Sequence, residues 1–235
     1  MTDTIYVIEH WKLAEPDYGR RHLIARGFDI RVAEPWKGEA LPELTGDEAG
    51  VMLMGGPQYV TELDEAPYLA DEMRFAEAAM VRGVPVVGIC LGSQMIAHIL
   101  GAAVGFHRDG HMTMGFYELA VTEAGRGLMP AGLKVLSGNA QGWDMPSGVT
   151  PLAHGEIFPN QAFQAGASTI ALQFHPEVTQ PILHQWHDEF GGMIGEPGTH
   201  PVDEQWAAFA EHDPALKAWY AGFLDNWFGQ AQRAA

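Results

Sequence analysis

The stretch VPVVGICLGSQ, residues 84–94, decides the fold of the chain. Residues 84–89 form an almost continuous apolar run, which is typical of a central strand that is buried on both faces of a sheet. Residues 91–100 follow as a predicted helix, which Gly101 ends. A buried strand that passes directly into a helix favours an α/β protein with a mostly parallel sheet.

Cys90 stands at the junction of this strand and this helix, in the pattern Gly-x-Cys-x-Gly. The pattern is that of a nucleophile elbow with cysteine in place of serine, in which glycines allow a very tight turn. The N-terminus of the helix favours a thiolate, and the amide of Leu91 points to where an oxyanion would form. The alternative interpretation is a small buried cysteine that only packs.

The remainder of the first half repeats the alternation of strand and helix. Apolar and β-branched runs predict strands at residues 5–8, 28–33 and 51–54. Helical spacing of apolar residues predicts helices at residues 16–26 and 67–82. This order predicts a single domain of three layers, in which helices cover both faces of a mostly parallel central sheet.

The second half has shorter connections and more strands than helices. We predict strands at residues 117–122, 133–136, 160–164 and 169–174, and helices at residues 178–190 and 214–228. The Gly- and Pro-rich residues 191–202 are predicted to be an exposed connection between the two helices.

Two further groups of residues follow predicted strands. His175 and Glu177 come after the strand at residues 169–174, and their i, i+2 spacing points both side chains the same way. A cysteine nucleophile needs a base, and the base needs an orienting group, which these two residues supply. Gly55 and Gly56 follow the strand at residues 51–54 and offer unobstructed amides for a second oxyanion donor, although the motif taken alone favours a simple turn.

Composition narrows the class of protein. Lys and Arg number 13 against 30 Asp and Glu, so the formal net charge is −17, which disfavours nucleic acid as a partner. The single cysteine excludes an intrachain disulfide and fits a reducing compartment. The N-terminus lacks the features of a signal peptide and no apolar run approaches a membrane span, so we expect a cytoplasmic protein without a membrane partner.

The segments MGGP, GICLGSQ and QFHPEV together resemble the signatures of the class I glutamine amidotransferases. The likeness covers roughly residues 51–190 and is strongest to free-standing members similar to the glutaminase domain of GMP synthase. It implies the flavodoxin-like architecture of that family, with residues 1–190 as the amidotransferase domain and residues 191–235 as a helical extension packed on it.

The same resemblance implies the roles of individual residues. Cys90 matches the nucleophile, His175 the base and Glu177 the residue that orients the base, while Gly56 and Leu91 match the oxyanion amides. The residues that match the family's substrate-binding positions are Gly55, Gln94, Gln141, Gly142 and Trp143. Gln141 stands where a histidine is common in the family.

The implied reaction is hydrolysis of glutamine to glutamate and ammonia through a γ-glutamyl thioester, with neither metal nor organic cofactor. Ammonia would pass to a separate synthase. Because the triad acts on the γ-glutamyl group alone, a γ-glutamyl peptidase or hydrolase is an alternative, and a non-catalytic regulatory module is a third. His107 and His111 flank Gly110 in a predicted loop and favour a surface or core role over metal binding.

Overall fold

The computed structural model describes residues 3–233, so the first two positions of the predicted domain at residues 1–190 and the last two of the predicted extension at residues 191–235 lie outside the described residues. The strands are β1 (Thr4–Ile8), β2 (Asp29–Ala33), β3 (Gly50–Leu53), β4 (Val86–Ile89), β5 (Val104–Phe106), β6 (Thr113–Glu118), β7 (Ala120–Val121), β8 (Lys134–Asn139), β9 (Gln141–Trp143), β10 (Thr150–His154), β11 (Asn160–Ala165) and β12 (Thr169–Leu172). The helices are α1 (Tyr18–Ala25), α2 (Tyr68–Val81), α3 (Leu91–Ile99), α4 (Gln180–Phe190) and α5 (Val202–Arg233), and short 3₁₀ turns lie at Pro35–Lys37, Ala124–Gly127 and Gly191–Met193.

Eight of the strands form one sheet, in the order β2-β1-β3-β4-β12-β11-β10-β7. The pairs from β2 to β12 are parallel, and the pairs from β12 to β7 are antiparallel. Two small antiparallel sheets, β5 with β9 and β6 with β8, accompany the large one. The α/β class with a mostly parallel central sheet is therefore confirmed.

Helices cover both faces of the large sheet because successive strand residues point to opposite sides. Val7 of β1 joins a core cluster with Leu23 of α1 and Tyr220 of α5. The next residue, Ile8, joins a second cluster with Phe75 of α2. The predicted three layers are thus present, with α1 and α5 on one face and α2 on the other.

The C-terminal helix begins earlier than predicted. The sequence pattern predicted a helix that begins at Pro214, since proline is common in the first turn of a helix. In the structure α5 begins at Val202 and contains Pro214. A proline inside a helix removes one backbone hydrogen bond and costs about 3 kcal/mol, and burial of Leu216, Tyr220 and Phe228 against the sheet offsets this cost. Although α5 has 32 residues, no helix within residues 3–233 is long and apolar enough to cross a membrane.

Three strands were not predicted from the sequence, and one predicted strand is two. β5 and β9 have only three residues each, and β10 carries Pro151 beside a register shift against β11, so none of the three gives a clear alternating pattern. The predicted strand at residues 117–122 is divided between β6 and β7.

The centre of the sheet brings the predicted site together. Ile89 at the end of β4 pairs with Leu172 at the end of β12, and Leu53 of β3 pairs with Gly88. The N–H of Cys90 continues this ladder and donates to the carbonyl oxygen of Leu172 at 2.8 Å. The residues that follow β3, β4 and β12 therefore meet at one edge, where ligands bind in open α/β sheets.

Candidate active site

Cys90 connects β4 to α3 in a strained backbone conformation. With φ of 48° and ψ of −105°, it is the only non-glycine residue with a positive φ between residues 3 and 233. Such conformations cost about 1–3 kcal/mol and persist where the surroundings enforce them, often at functional sites. The tight turn thus places its strained dihedral angles on Cys90 itself and not on Gly88 or Gly92.

The glycines around Cys90 are required by close backbone contacts. A Cβ on Gly92 would lie 2.1 Å from the carbonyl oxygen of Leu53, and a Cβ on Gly88 would lie 2.6 Å from that of Gly92. Real Cβ atoms do not approach a carbonyl so closely, so β3, β4 and α3 pack together only with glycine at both positions.

The thiol of Cys90 is buried among polar groups. The residue is 6% exposed, its Sγ lies 3.8 Å from the carbonyl oxygen of Gly138, and the Nε2 amide of Gln173 donates to Sγ at 3.7 Å. Gln173 was not among the site residues predicted from the sequence. The i, i+2 spacing that indicated His175 and Glu177 also includes Gln173, since residues 173, 175 and 177 lie on the same side of an extended chain.

His175 and Glu177 form a buried pair beside the nucleophile. Nδ1 of His175 and Oε1 of Glu177 are 2.8 Å apart, and the two residues are 4% and 6% exposed. The imidazole also packs edge-on against Trp186 of α4, with ring centroids 4.6 Å apart. These contacts fix the ring, since a hydrogen bond holds one side and an aromatic face holds another.

The electrostatics of this pair favour a protonated imidazole. Burial acts to lower the pKa of His175, but the charges of Glu177 and Cys90 act in the opposite direction and raise it to about 10. The two neighbours thus stabilise the protonated form of His175. A cation beside a cysteine favours the thiolate, which is the nucleophilic form.

Gly55 and Gly56 lie between two histidine rings. A Cβ on Gly55 would be 2.7 Å from Cε1 of His175, and a Cβ on Gly56 would be 2.4 Å from Cβ of His10. Both glycines line the same cavity as Cys90. A side chain at either position would thus collide with a histidine, so this segment requires glycine at both.

His10 belongs to a second histidine–glutamate pair that the sequence analysis missed. Its Nε2 lies 2.8 Å from Oε2 of Glu72 on α2, and neither side chain is exposed. In addition, Nε2 of Gln58 donates to the carbonyl oxygen of His10 at 2.8 Å. No local pattern reveals this pair, because its members are 62 positions apart.

The other predicted site residues divide into two groups. Gln94 and Gln141 line the cavity, and Nε2 of Gln94 donates to the carbonyl oxygen of Gln141 at 2.9 Å. Gly142 and Trp143 do not line it, and the indole of Trp143 donates to Ser93 at 3.1 Å within the core. Leu91 begins α3 with a buried side chain. The structure therefore does not bring Gly142 and Trp143 to the nucleophile.

The cavity around Cys90 has a volume of about 390 Å³. One end holds the polar groups described above. The other end is largely apolar and lies between the β1–α1 connection and α4 with its following 3₁₀ turn; its side chains include Trp11, Leu13, Ile182, Trp186, Phe190 and Met193. Trp11 and Phe190 touch across this end, with ring centroids 5.1 Å apart.

One wall of the cavity carries a buried charged group. Nε of Arg20 donates to Oδ2 of Asp17 at 2.6 Å, and its Nη1 lies 2.7 Å from Oε1 of Glu9. Burial raises the pKa of Glu9, and although Arg20 acts against burial, the pKa reaches about 7. One guanidinium therefore serves two carboxyl groups and does not fully offset the burial of Glu9.

Glu9→Gln is expected to gain stability over the wild type as the pH rises from 5 to 8. A carboxyl whose pKa rises from 4.5 to about 7 on folding binds its proton more tightly in the folded protein, so its contribution to folding weakens as the pH rises through this window. The amide has no such dependence, and the relative gain approaches about 3 kcal/mol at pH 8.

Urea unfolding of both proteins at pH 5, 6, 7 and 8 measures this effect. Glu77→Gln, at an exposed position on α2, is the matched control, and its free energy of unfolding should change with pH as that of the wild type does. The same behaviour in Glu9→Gln would show that folding does not raise the pKa of Glu9.

His107, Asp109 and His111 come together between β5 and β6, outside the cavity. One ligand atom from each lies within 4.8 Å of the others, and such side chains can hold Zn²⁺ or Ni²⁺. However, Nε of Arg108 lies 3.3 Å from Oδ2 of Asp109, so a cation already accompanies the only carboxylate. We assign no metal to this group, and the absence of a metal site stays a prediction.

Comparison with known proteins gives a consistent family. The family model "Glutamine amidotransferase class-I" matches residues 20–182. A glutamine amidotransferase-like protein of Salmonella typhimurium is 31% identical over 204 residues, which cover 83% of this chain and 81% of the relative. A GMP synthase of Spiroplasma kunkelii is 33% identical over 178 residues, which cover 72% of this chain and 33% of the relative. The chain thus spans about a third of that GMP synthase.

Solved structures agree in fold. A glutamine amidotransferase from Thermotoga maritima superimposes with a TM-score of 0.84 at 25% identity, covering 96% of this chain and 97% of that one. A glutamine amidotransferase from Methylobacillus flagellatus gives a TM-score of 0.88 at 20% identity, covering 97% and 95%. The second likeness, at lower identity, shows the fold alone.

Proposed function

Because the chain belongs to the class I glutamine amidotransferase family, we propose that it hydrolyses the side-chain amide of glutamine to glutamate and ammonia. The observation that carries this proposal is that Cys90, the His175–Glu177 pair and the Gly55–Gly56 backbone line one cavity. Nucleophile, base, orienting group and oxyanion donors are the components that acyl transfer requires.

In the first half of the reaction, Sγ of Cys90 attacks the amide carbon and forms a carbon–sulfur bond. The amides of Gly56 and Leu91 stabilise the tetrahedral oxyanion; one such donor is worth about 10²–10³ in rate. His175 then gives its proton to the departing nitrogen, the carbon–nitrogen bond breaks, and ammonia leaves a γ-glutamyl thioester on Cys90.

In the second half, neutral His175 takes a proton from water as the water oxygen attacks the thioester. The carbon–sulfur bond breaks, glutamate leaves, and the thiolate–imidazolium pair is restored. Glu177 keeps Nδ1 of His175 occupied throughout, so Nε2 is the nitrogen that exchanges protons with substrate.

The polar end of the cavity would hold the amino acid end of the substrate. We assign this role to the backbone of Gly55 and to Gln94 and Gln141, which are joined by a hydrogen bond in the cavity wall. Gly142 and Trp143 would contribute only through the backbone that continues from Gln141. The ammonia would pass to a separate synthase partner, a proposal that the likeness to GMP synthases supports.

A γ-glutamyl hydrolase is the second candidate, and the apolar end of the cavity favours it. Ammonia needs no apolar wall, whereas the side chain of a γ-glutamyl amide or dipeptide could lie against Trp11, Phe190 and Met193. Both candidates share the γ-glutamyl thioester, and they differ only in the leaving group.

Steady-state release of glutamate from glutamine and from γ-glutamyl-phenylalanine, assayed side by side, separates the two candidates. We expect slow cleavage of glutamine, because no acceptor is present, and less cleavage of the dipeptide. Cys90→Ser should lose both activities. Phe190→Ala is the matched variant and should affect only a dipeptide. Rapid cleavage of the dipeptide with little action on glutamine would favour the second candidate, and cleavage of neither would contradict both.

A further inference from the structure

Lys217 of α5 contacts the backbone on both sides of Glu177. Its Nζ donates to the carbonyl oxygen of Pro176 at 3.0 Å and to that of Val178 at 2.7 Å. The third donor goes to Oδ1 of Asp213, one turn earlier in α5, at 2.8 Å. An ammonium has three donors, so every donor of Lys217 is used, and two of them hold the segment that carries Glu177.

This segment has no regular secondary structure of its own. The carbonyl groups of residues 176–178 lie between the end of β12 and the start of α4, outside any ladder or helix, and buried carbonyl groups need a donor. The carbonyl oxygen of Glu177 accepts from the backbone N–H of Tyr18 at 3.0 Å. Three consecutive carbonyl groups, at residues 176–178, are thus held by the start of α1 and by Lys217.

Burial of the lysine ammonium at this position costs free energy. Lys217 is only 9% exposed, and burial lowers its pKa although the charges of Asp213, Glu177 and Asp17 act in the opposite direction. Replacement of Lys217 by an apolar residue would bury no charge, but it would leave the carbonyl oxygens of Pro176 and Val178 without this donor, and a buried acceptor without a partner is costly. The ammonium is therefore tied to the groups that it holds, two of which flank Glu177.

We propose that Lys217 is a positioning residue for the catalytic triad, which fixes the backbone on both sides of Glu177 and so holds the carboxylate against His175. This inference rests on the proposed function, because that function gives Glu177 its role. Lys217 lies beyond residue 182, where the family match ends. The last helix is accordingly a structural support of the active site.

The effect on catalysis should appear in kcat. A small misplacement of a reacting group costs up to about 10²-fold in rate, and Lys217 does not line the substrate cavity. We therefore expect Lys217→Met to lower kcat by about 10–100-fold with little change in KM. Lys217→Arg, which keeps the charge and several donors, should recover part of the loss.

A double-mutant cycle tests whether Lys217 acts through Glu177. Residues that act in series give non-additive losses, so Lys217→Met should cause no further loss in a Glu177→Gln background. Lys134→Met, at an exposed position on β8, is the matched control and should behave as the wild type. Urea unfolding of each variant separates a change in kcat from a loss of folded protein.

Alkylation of Cys90 by iodoacetamide at pH 7 is a readout that does not need turnover. If Glu177 moves away, His175 supports the thiolate less well, so Lys217→Met and Glu177→Gln should both slow alkylation. The alkylation rate tests the inference even if the wild type hydrolyses no γ-glutamyl compound. If Lys217→Met did not fold, Lys217→Gln, with two donors, would take its place.

Three results would overturn the inference. The first is an unchanged kcat and alkylation rate in folded Lys217→Met. The second is a loss that multiplies fully with that of Glu177→Gln. The third is an effect on KM alone, which would assign Lys217 to substrate binding.

Discussion

His175→Ala is expected to lower kcat by about 10⁴-fold, and Glu177→Ala by clearly less. His175 transfers a proton in both halves of the proposed reaction, and general acid–base catalysis is worth about 10²–10⁴-fold in each such step. Its imidazolium also supports the thiolate, so its loss weakens the nucleophile. Glu177 orients the ring and raises the pKa of His175, but it moves no proton itself.

Glutamate release under saturating glutamine, with circular dichroism to confirm folding, measures this difference. His98→Ala is the control, since His98 is exposed on α3 and lies outside the cavity. Equal inactivity of folded Glu177→Ala and His175→Ala would show that Glu177 does more than orient the imidazole.

Gly92→Ala is expected to destabilise the protein by about 3 kcal/mol or more and to lower kcat of the remaining folded molecules by about 10²-fold. The new Cβ would meet the backbone oxygen of Leu53 at 2.1 Å. Leu53 cannot yield, because β3 is paired with β1 on one side and with β4 on the other. The start of α3 must therefore move, and Cys90, which is the N-cap residue of this helix, moves with it relative to His175.

Gly222→Ala in α5 is the matched control. No atom lies within 4 Å of a Cβ at this position, and alanine favours a helix over glycine by about 0.5–1 kcal/mol, so this variant should be slightly more stable than the wild type. Urea unfolding compares the three proteins. A Gly92→Ala protein as stable and active as the wild type would mean that α3 can shift without cost.

The sequence predicted those parts of the site that neighbouring residues determine. Cys90 with its flanking glycines, and the alternation of His175 with Glu177, are short patterns in which each residue type has a local reason. The same holds for the buried strand β4, whose apolar run reflects burial on both faces. Residues close in sequence produce these features, so short segments of the sequence were sufficient to predict them.

Features that depend on contacts between residues far apart in the chain could not be predicted from the sequence. The pairing of His10 with Glu72 and the hydrogen bonds from Lys217 to the backbone near Glu177 join residues that are far apart in the chain. Likewise, α5 continues through Pro214 because its apolar side chains are buried against the sheet, and a local propensity contains no information on that burial.

The insertion of β12 between β4 and β11 has a consequence for how the protein forms. Gln173 and Cys90 are 83 positions apart, so the contacts around the thiol have high contact order and require closure of a long loop before they are made. During synthesis, Cys90 leaves the ribosome well before His175 and Glu177 exist, and α5 follows later still. A nascent chain therefore carries a cysteine without its activating neighbours, and thiol reactivity would develop only in the last stage of folding.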